Sequence, residues 1–257
     1  MSQINARLWG HLSKVKARGV TVVLIGDFKQ FPAIMDHWNG SKLEDDRLET
    51  SHLLYDLVDG VRTELRENRR SDPRLFDFYT SLDVRCTAEQ LQDTLQRARA
   101  LFPVRAGQEG VTHLVLPHRE RIRLNREANL REKARRSDAL FVPAPKHVPA
   151  RNAPQDMWVW PGLRLIGAGK TCLKGCFYVV ESVSDDGTVT LTDLEKPLTL
   201  EQVSRCLRLS YAVTYASCQG LTLRGRVRLH THSPRFTCRH LYVGSSRATA
   251  ADLLEVA

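Results

Sequence analysis

Several short stretches in this chain pair chemically able side chains with the turns that would expose them. Tyr211 to Thr214 is a short apolar run that stops at Ser217, Cys218, Gln219 and Gly220. That is a strand running into a turn of small polar residues, and open α/β sheets bind ligands at the carboxyl ends of their strands. Leu241 to Ser246 ends in Arg247, whose planar fork of donors suits a phosphate. Far upstream, Asp27 and Gln30 follow the apolar run Val20 to Ile25. A glutamine both donates and accepts hydrogen bonds, so it can sense a terminal phosphate or an attacking water. His118 and Arg119, with Arg121 and Arg123, open a basic helix after a strand. Arginines there can hold a nucleic-acid backbone without reading its sequence, and serve equally well as a solvated helix face. Trp158 and Trp160 could stack bases or fill a core.

Three of these stretches resemble helicase motifs, in family order and spread over most of the chain. Thr214 to Leu223, TYASCQGLTL, resembles motif V of superfamily 1 helicases, usually T-x-H-K-S-Q-G-x-T. Leu241 to Thr249, LYVGSSRAT, resembles motif VI, and Leu24 to Ala33, LIGDFKQFPA, resembles motif III, G-D-x-x-Q-L-P-P. The nearest branch is RecD-like and includes the Pif-type helicases. Leu65 to Asp72, LRENRRSD, is similar to motif IV, where an arginine before a helix reaches across an inter-lobe cleft to the nucleotide. Arg70 fits that place, with Arg69 the runner-up. The resemblance implies catalytic roles for Gln30, Arg70 and Arg247. It implies nucleotide contacts from Asp27, Gln30, Gln219, Gly220 and Arg247, and DNA contacts from Thr214 and Ser217. One departure bears on grip: the family's His-Lys in motif V is Ala216-Ser217 here, so a basic phosphate contact is lost.

The elements that would position these residues read as an α/β protein. Ser2 to Lys16 has apolar residues at Ile4, Leu8, Leu12 and Val15, with Lys14 and Lys16 at its end, and predicts an amphipathic helix. Val20 to Ile25 is apolar on both faces and predicts a buried parallel strand. Asp36 to Asp59 reads as an irregular connection. A helix is predicted over Leu75 to Leu82, another over Thr87 to Leu101, a strand at Val111 to Leu116 and a helix over His118 to Leu130. Arg131 to Pro154 reads as a loop rich in Arg, Lys and Pro. Phe177 to Val183 alternates, and Asp185-Asp-Gly marks a hairpin before Thr188. Strands are also predicted at Val227 to His230 and Leu253 to Val256, with a helix between them over Cys238 to Ser246.

With the resemblance, these elements imply a P-loop NTPase-type architecture. Residues 1–35 would be the last helix and strand of a first RecA-like lobe. Residues 60–140 and 206–257 would form a second RecA-like lobe, and 155–205 an inserted small β-barrel. The implied protein is an ATP-dependent 5′-to-3′ DNA helicase of replication or repair, of which this chain is the C-terminal portion. The phosphate-binding loop and the acidic pair that holds magnesium would belong to the absent first lobe. ATP and Mg2+ are therefore expected in a complete two-lobe protein and not on this chain alone. Gly162 to Thr171, GLRLIGAGKT, ends like a phosphate loop but has Arg164 where the first glycine belongs; it reads as a turn. The alternative is a non-catalytic, single-stranded nucleic-acid-binding remnant of a viral or mobile-element helicase.

Composition agrees with such a partner. The 257 residues carry 38 basic and 29 acidic side chains, a net charge of +9, which favours a polyanion such as single-stranded DNA or RNA. Apolar content of 42% and charged content of 26% predict a folded globular chain. No stretch approaches the ~18 apolar residues of a membrane span. Six cysteines fit free thiols of a reducing, intracellular setting better than a disulfide framework. Cys172 and Cys176 lack a second matching pair, so no metal site is expected.

Overall fold

The computed structural model describes residues 6–33, 37–38, 41–42, 50–107, 109–145, 154–184 and 187–257. Two sheets with separate cores organise the chain. The first is parallel and is built from β3 (Val111–Val115), β11 (Ala212–Thr214), β12 (Arg226–Leu229) and β13 (Leu254–Val256), in the order β11-β3-β12-β13. All five residues of β3 are buried, as befits a central parallel strand covered on both faces. His113 pairs with Ala212 on one side and Arg228 on the other.

Helices cover this sheet. Pro73–Thr80 starts sharply because Asp72 caps it, accepting from the Leu75 amide at 2.8 Å, with Pro73 in the first turn. Asp72 also accepts from the Ala251 amide at 2.5 Å, which ties the helix start to the chain's last turn. Ala88–Leu101 opens with a capping box between Thr87 and Gln90 and buries Leu91, Leu95 and Ala98. His118–Lys133 packs on β3 and β11. Cys238–Ser245 packs on β12 and on the helix Pro73–Thr80. Leu75, Phe78, Leu95, Leu114, Val213, Leu229, Leu241 and Val256 are among the residues of the resulting core.

After the helix His118–Lys133 the chain builds the second sheet. It is antiparallel, with β6 (Arg164–Gly167), β7 (Phe177–Val183), β8 (Thr188–Leu191), β9 (Leu198–Thr199) and β10 (Leu207–Leu209) in the order β10-β6-β7-β8-β9. The helix Leu200–Cys206 joins its two edge strands. Val159, Leu165, Val180, Val189, Leu191, Val203 and Leu207 fill its own core. The chain returns from β10 to β11 within three residues, which brings the second sheet up beside β11, an edge strand of the first. The hairpin after Val183 is present, though Asp185 and Asp186 lie outside the described residues.

Four expectations need correction. Val20 to Ile25 forms no strand: Val20, Val23 and Ile25 are 51%, 77% and 78% exposed. A both-faces-apolar strand needs neighbouring strands to supply its ladder, and none pairs with it among the described residues. The first helix, seen as Ala6–Lys16, buries Trp9 and leaves Leu8 and Val15 exposed; its residues before Ala6 lie outside the described ones. One large aromatic outweighs the aliphatic stripe and turns the helix toward the short helix His52–Leu57. That short helix, and the two-residue ribbon of β1 (His37–Trp38) with β2 (Ser41–Lys42), interrupt the connection read as irregular. Arg131 to Pro154 likewise contains a strand, β4 (Leu140–Val142), which pairs with β5 (Met157–Val159); residues 146–153 lie outside the described ones. The turn at Gly169 is a tight hairpin bridged to Cys172, with Gly169 and Lys170 at positive φ.

Candidate functional site

The motif stretches meet at one edge of the parallel sheet. Asp27 and Gln30 sit in a turn, where Asp27 accepts from the Gln30 amide group (Nε2) at 3.2 Å and from the Lys29 backbone at 2.9 Å. Its other contact comes from Tyr242, whose hydroxyl donates to Asp27 Oδ2 at 2.7 Å. From the start of the same helix, Arg239 Nη1 donates to the Gln30 carbonyl at 2.6 Å. Gln219 Nε2 donates to the Phe31 carbonyl at 3.3 Å. The Phe31 ring also packs at 4.7 Å against His240, whose imidazole is pushed down to about 4 by burial and then by the Arg239 charge. Thus the segment Asp27–Phe31 is docked on the motif V and VI segments although its preceding strand is not formed.

Arg247 is 1% exposed. Its Nε donates to the Val243 carbonyl at 3.1 Å, Nη1 to the Leu221 carbonyl at 3.1 Å and Nη2 to the Ser246 hydroxyl at 2.8 Å. Burial lowers its pKa, and the neighbouring charge of Arg70 lowers it further. Arg70 itself is exposed and donates to the Ser246 carbonyl at 3.2 Å, while Arg69 turns to Glu67 at 3.0 Å. Of the two candidate arginines, Arg70 is therefore the one beside Arg247. In this conformation the open fork belongs to Arg70; the fork of Arg247 is satisfied by carbonyls and a hydroxyl. Gly220 has φ 87° and open space where a Cβ would stand, so it shapes the turn by its backbone conformation.

Thr214 is buried at the end of β11, and its hydroxyl lies 2.8 Å from that of exposed Ser217. His118 and Arg119 are exposed at the start of their helix. Burial, then the charge of Arg121, lowers the His118 pKa. Trp158 is half-buried on β5, beside Phe141 at 5.2 Å and beneath Lys133 at 4.6 Å. Trp160 is 3% exposed and belongs to the core of the second sheet. It cannot stack a base, because its faces are spent on packing and on Arg136 at 5.2 Å. Sequence reasoning missed Arg239 and Tyr242. The tyrosine lies within the motif VI stretch, but only the fold reveals that it reaches residues more than two hundred positions away.

Among the described residues no three His, Cys, Asp or Glu side chains gather to hold a metal ion, and no helix is long and apolar enough to cross a membrane. Cys172 is buried, its thiol pushed up to about 11 by burial, while Cys176 is exposed.

No family model and no curated protein matches the chain. Solved structures do. The Pif1 helicase from Candida albicans superposes with a TM-score of 0.60 at 17% identity, covering 99% of this chain and 70% of that one. A Bacteroides Pif1 helicase in complex with ADP-AlF3 and single-stranded DNA gives a TM-score of 0.60 at 15% identity, covering 100% and 68%. A structure of two coordinating Pif1 helicases at forked duplex DNA gives 0.63 at 15% identity, covering 100% and 67%. The chain thus has the fold of these Pif1 helicase structures, a RecA-like α/β architecture.

Proposed function

We propose that the chain is the C-terminal portion of an ATP-dependent 5′-to-3′ DNA helicase and is inactive by itself. It supplies the arginine half of an inter-lobe NTP site and part of the track for single-stranded DNA. The observation that carries this reading is the convergence of Asp27–Phe31, Arg70, Gln219 and the helix Cys238–Ser245, joined by the Tyr242–Asp27 and Arg239–Gln30 hydrogen bonds. Residues distant in sequence meet where a phosphate would need forked donors and a hydrogen-bonding sensor.

ATP, the substrate, suits the donor set. Arg70 presents an exposed guanidinium to developing negative charge on a transferred phosphoryl group. Arg247 joins it by exchanging its bonds to the Leu221 carbonyl and Ser246 hydroxyl for phosphate oxygens. Gln30, tied to Asp27 and thence to Tyr242, reports the state of the nucleotide to the motif VI helix. Magnesium does not suit the described residues: Asp27 is engaged by Tyr242 and Gln30, and among the described residues no three His, Cys, Asp or Glu side chains gather. The metal belongs to the first lobe in this reading, and no step on this chain runs through it. Six free thiols support a reducing intracellular setting.

The test is DNA-stimulated ATPase activity. The isolated chain should have none. Joined in frame to a first lobe with an intact phosphate loop, it should hydrolyse ATP, and Arg70→Ala should then cost roughly a thousandfold. Arg70→Lys should rescue poorly, since an ammonium cannot reproduce the fork. Gln30→Ala should lose DNA stimulation while keeping nucleotide affinity. Magnesium-dependent ATPase activity of the isolated chain, abolished by Lys170→Ala, would overturn the reading and make the Gly169 hairpin the phosphate site.

A further inference from the structure

A cleft opens where the second sheet lies beside β11, an edge strand of the first, and its lining is basic. Arg121 from the helix His118–Lys133, Arg208 from β10 and Lys174 from the β6–β7 hairpin line it together with Thr214 and Ser217. Three cations from three different elements thus share one concavity with a pair of hydroxyls 2.8 Å apart.

The cations are held in place. Arg208 is 7% exposed, and its Nη1 donates to the carbonyls of Ser204 at 2.9 Å and Leu207 at 2.6 Å. Arg121 is 4% exposed. Burial lowers the pKa of both, that of Arg208 to about 10, and the charge of Arg121 contributes to the shift of Arg208. An anion in the cleft offsets both the desolvation and this mutual repulsion. Lys174 is exposed, but its backbone is pinned. The Gly175 amide donates to the Gly167 carbonyl at 2.9 Å, the Gly167 amide to the Cys176 carbonyl at 2.8 Å, and the Leu173 amide to the Tyr178 hydroxyl at 2.9 Å. A Cβ on Gly167 would come within 2.1 Å of the Leu173 carbonyl oxygen. Glycine at 167 is therefore what lets the hairpin carrying Lys174 lie down over the cleft.

We propose that this cleft binds a backbone phosphate of single-stranded nucleic acid, with Lys174 of the second sheet supplying the cation that the Ala216-Ser217 sequence lacks. The inference rests on the single-strand track in the proposed function, and adds to it a site shared between the two sheets. A phosphodiester needs charge without base-reading groups, and the lining offers guanidinium, ammonium and hydroxyl groups, with Lys174 and Ser217 at its exposed side.

The experiment is fluorescence anisotropy of a labelled oligothymidylate with the full chain, titrated across salt concentrations. Lys174→Glu is compared with Lys196→Glu, a matched charge reversal at an exposed lysine away from the cleft. The expected result is a loss of about tenfold in affinity and a salt slope lower by about one for Lys174→Glu, with Lys196→Glu within about twofold of wild type. Unchanged urea midpoints for both variants establish that the fold is intact. Equal losses in the two variants, with wild type binding normally, would overturn the cleft and leave the single-strand track standing. Wild type that does not bind the oligonucleotide at low salt would overturn both. Displacement of the oligonucleotide by low-millimolar inorganic phosphate would make this a free-anion site and overturn the assignment to a strand.

Discussion

The hydroxyl of Tyr242 donates a 2.7 Å hydrogen bond to the Asp27 carboxylate, 215 positions earlier in the chain. Burial first, then this bond and the carboxylate's charge, raise the tyrosine's pKa well above its ordinary value. The bond links the turn that follows an unformed strand to a helix of the parallel-sheet core. Tyr242→Phe keeps the ring's packing against Tyr79 at 5.8 Å and removes only the donor. Losing a hydrogen bond to a charged group costs about 1.5–3 kcal/mol. The loss should appear as faster amide exchange in residues 27–31 with little change in the parallel sheet, read by hydrogen–deuterium exchange.

Arg70 and Arg247 should separate in their effects on stability. Arg247 is buried with three acceptors around its guanidinium, so Arg247→Ala leaves the Leu221 and Val243 carbonyls without those bonds. The expected cost is roughly 2–4 kcal/mol in urea unfolding. Arg70 is exposed and makes one bond to a carbonyl, so Arg70→Ala should leave the urea midpoint nearly unchanged.

Glu255 is a buried carboxylate in the closing strand, held by Arg226 Nε at 2.8 Å, Arg228 Nε at 2.7 Å and Arg105 Nε at 3.2 Å. Burial alone would raise its pKa; the hydrogen bonds and charges of Arg226 and Arg228 outweigh it and hold the group below the ordinary 4.5. A depressed folded pKa contributes stability that is complete above the unfolded value and is lost as pH falls through the folded one. Stability should therefore decline further below pH 4.5. Glu255→Gln at neutral pH should cost about 3–5 kcal/mol, because it leaves the buried Arg228 guanidinium without its counter-charge. Urea midpoints of both proteins, taken from pH 7 to pH 3, measure this.

His113 on β3 lies 2.9 Å from His230 through facing ring nitrogens, and His230 lies 3.7 Å from Glu120. Burial is the largest cause lowering both pKa values. For His113, which falls to about 4, the charges of His230, Arg228 and Arg131 add to it and Glu255 opposes. For His230, Glu120 opposes, while Arg228, His232 and Arg123 add to the lowering. A histidine buried neutral contributes stability that is present above the unfolded value of 6.5 and is lost as pH falls toward the folded value. The chain should lose stability between pH 6.5 and about 4, before Glu255 is titrated. His113→Asn should make the fall of the urea midpoint across that interval shallower, leaving the contributions of His118, His230 and His240.

Local pattern carried much of the parallel-sheet unit. Val111–Val115, Ala88–Leu101 and Cys238–Ser245 could be read from apolar periodicity and caps, because one face of each must be buried whatever its partner. The motif residues Asp27, Gln30, Arg70 and Gln219 were legible by type and spacing, and they do meet at one edge of the sheet. Burial was harder to read. Trp158 and Trp160 sit two apart, the first on β5 and the second just past its end, yet only the second is sealed in a core. Period-two alternation gives two tryptophans the same face, and the degree of cover comes from the rest of the sheet.

By itself the amino-acid sequence determined the element types of the parallel-sheet unit, the basic charge and the order of the motif stretches, since these depend on neighbours within a few residues and on composition. The tertiary structure alone decided three things. Arg70 rather than Arg69 stands beside Arg247. The Arg247 fork is occupied by carbonyls and a hydroxyl. Lys174, forty-three positions before Ser217, lines the same cleft. Val20 to Ile25 marks the boundary between the two: its apolar pattern is that of a strand, but a strand is a ladder of hydrogen bonds to other strands, and no local pattern can supply the partner.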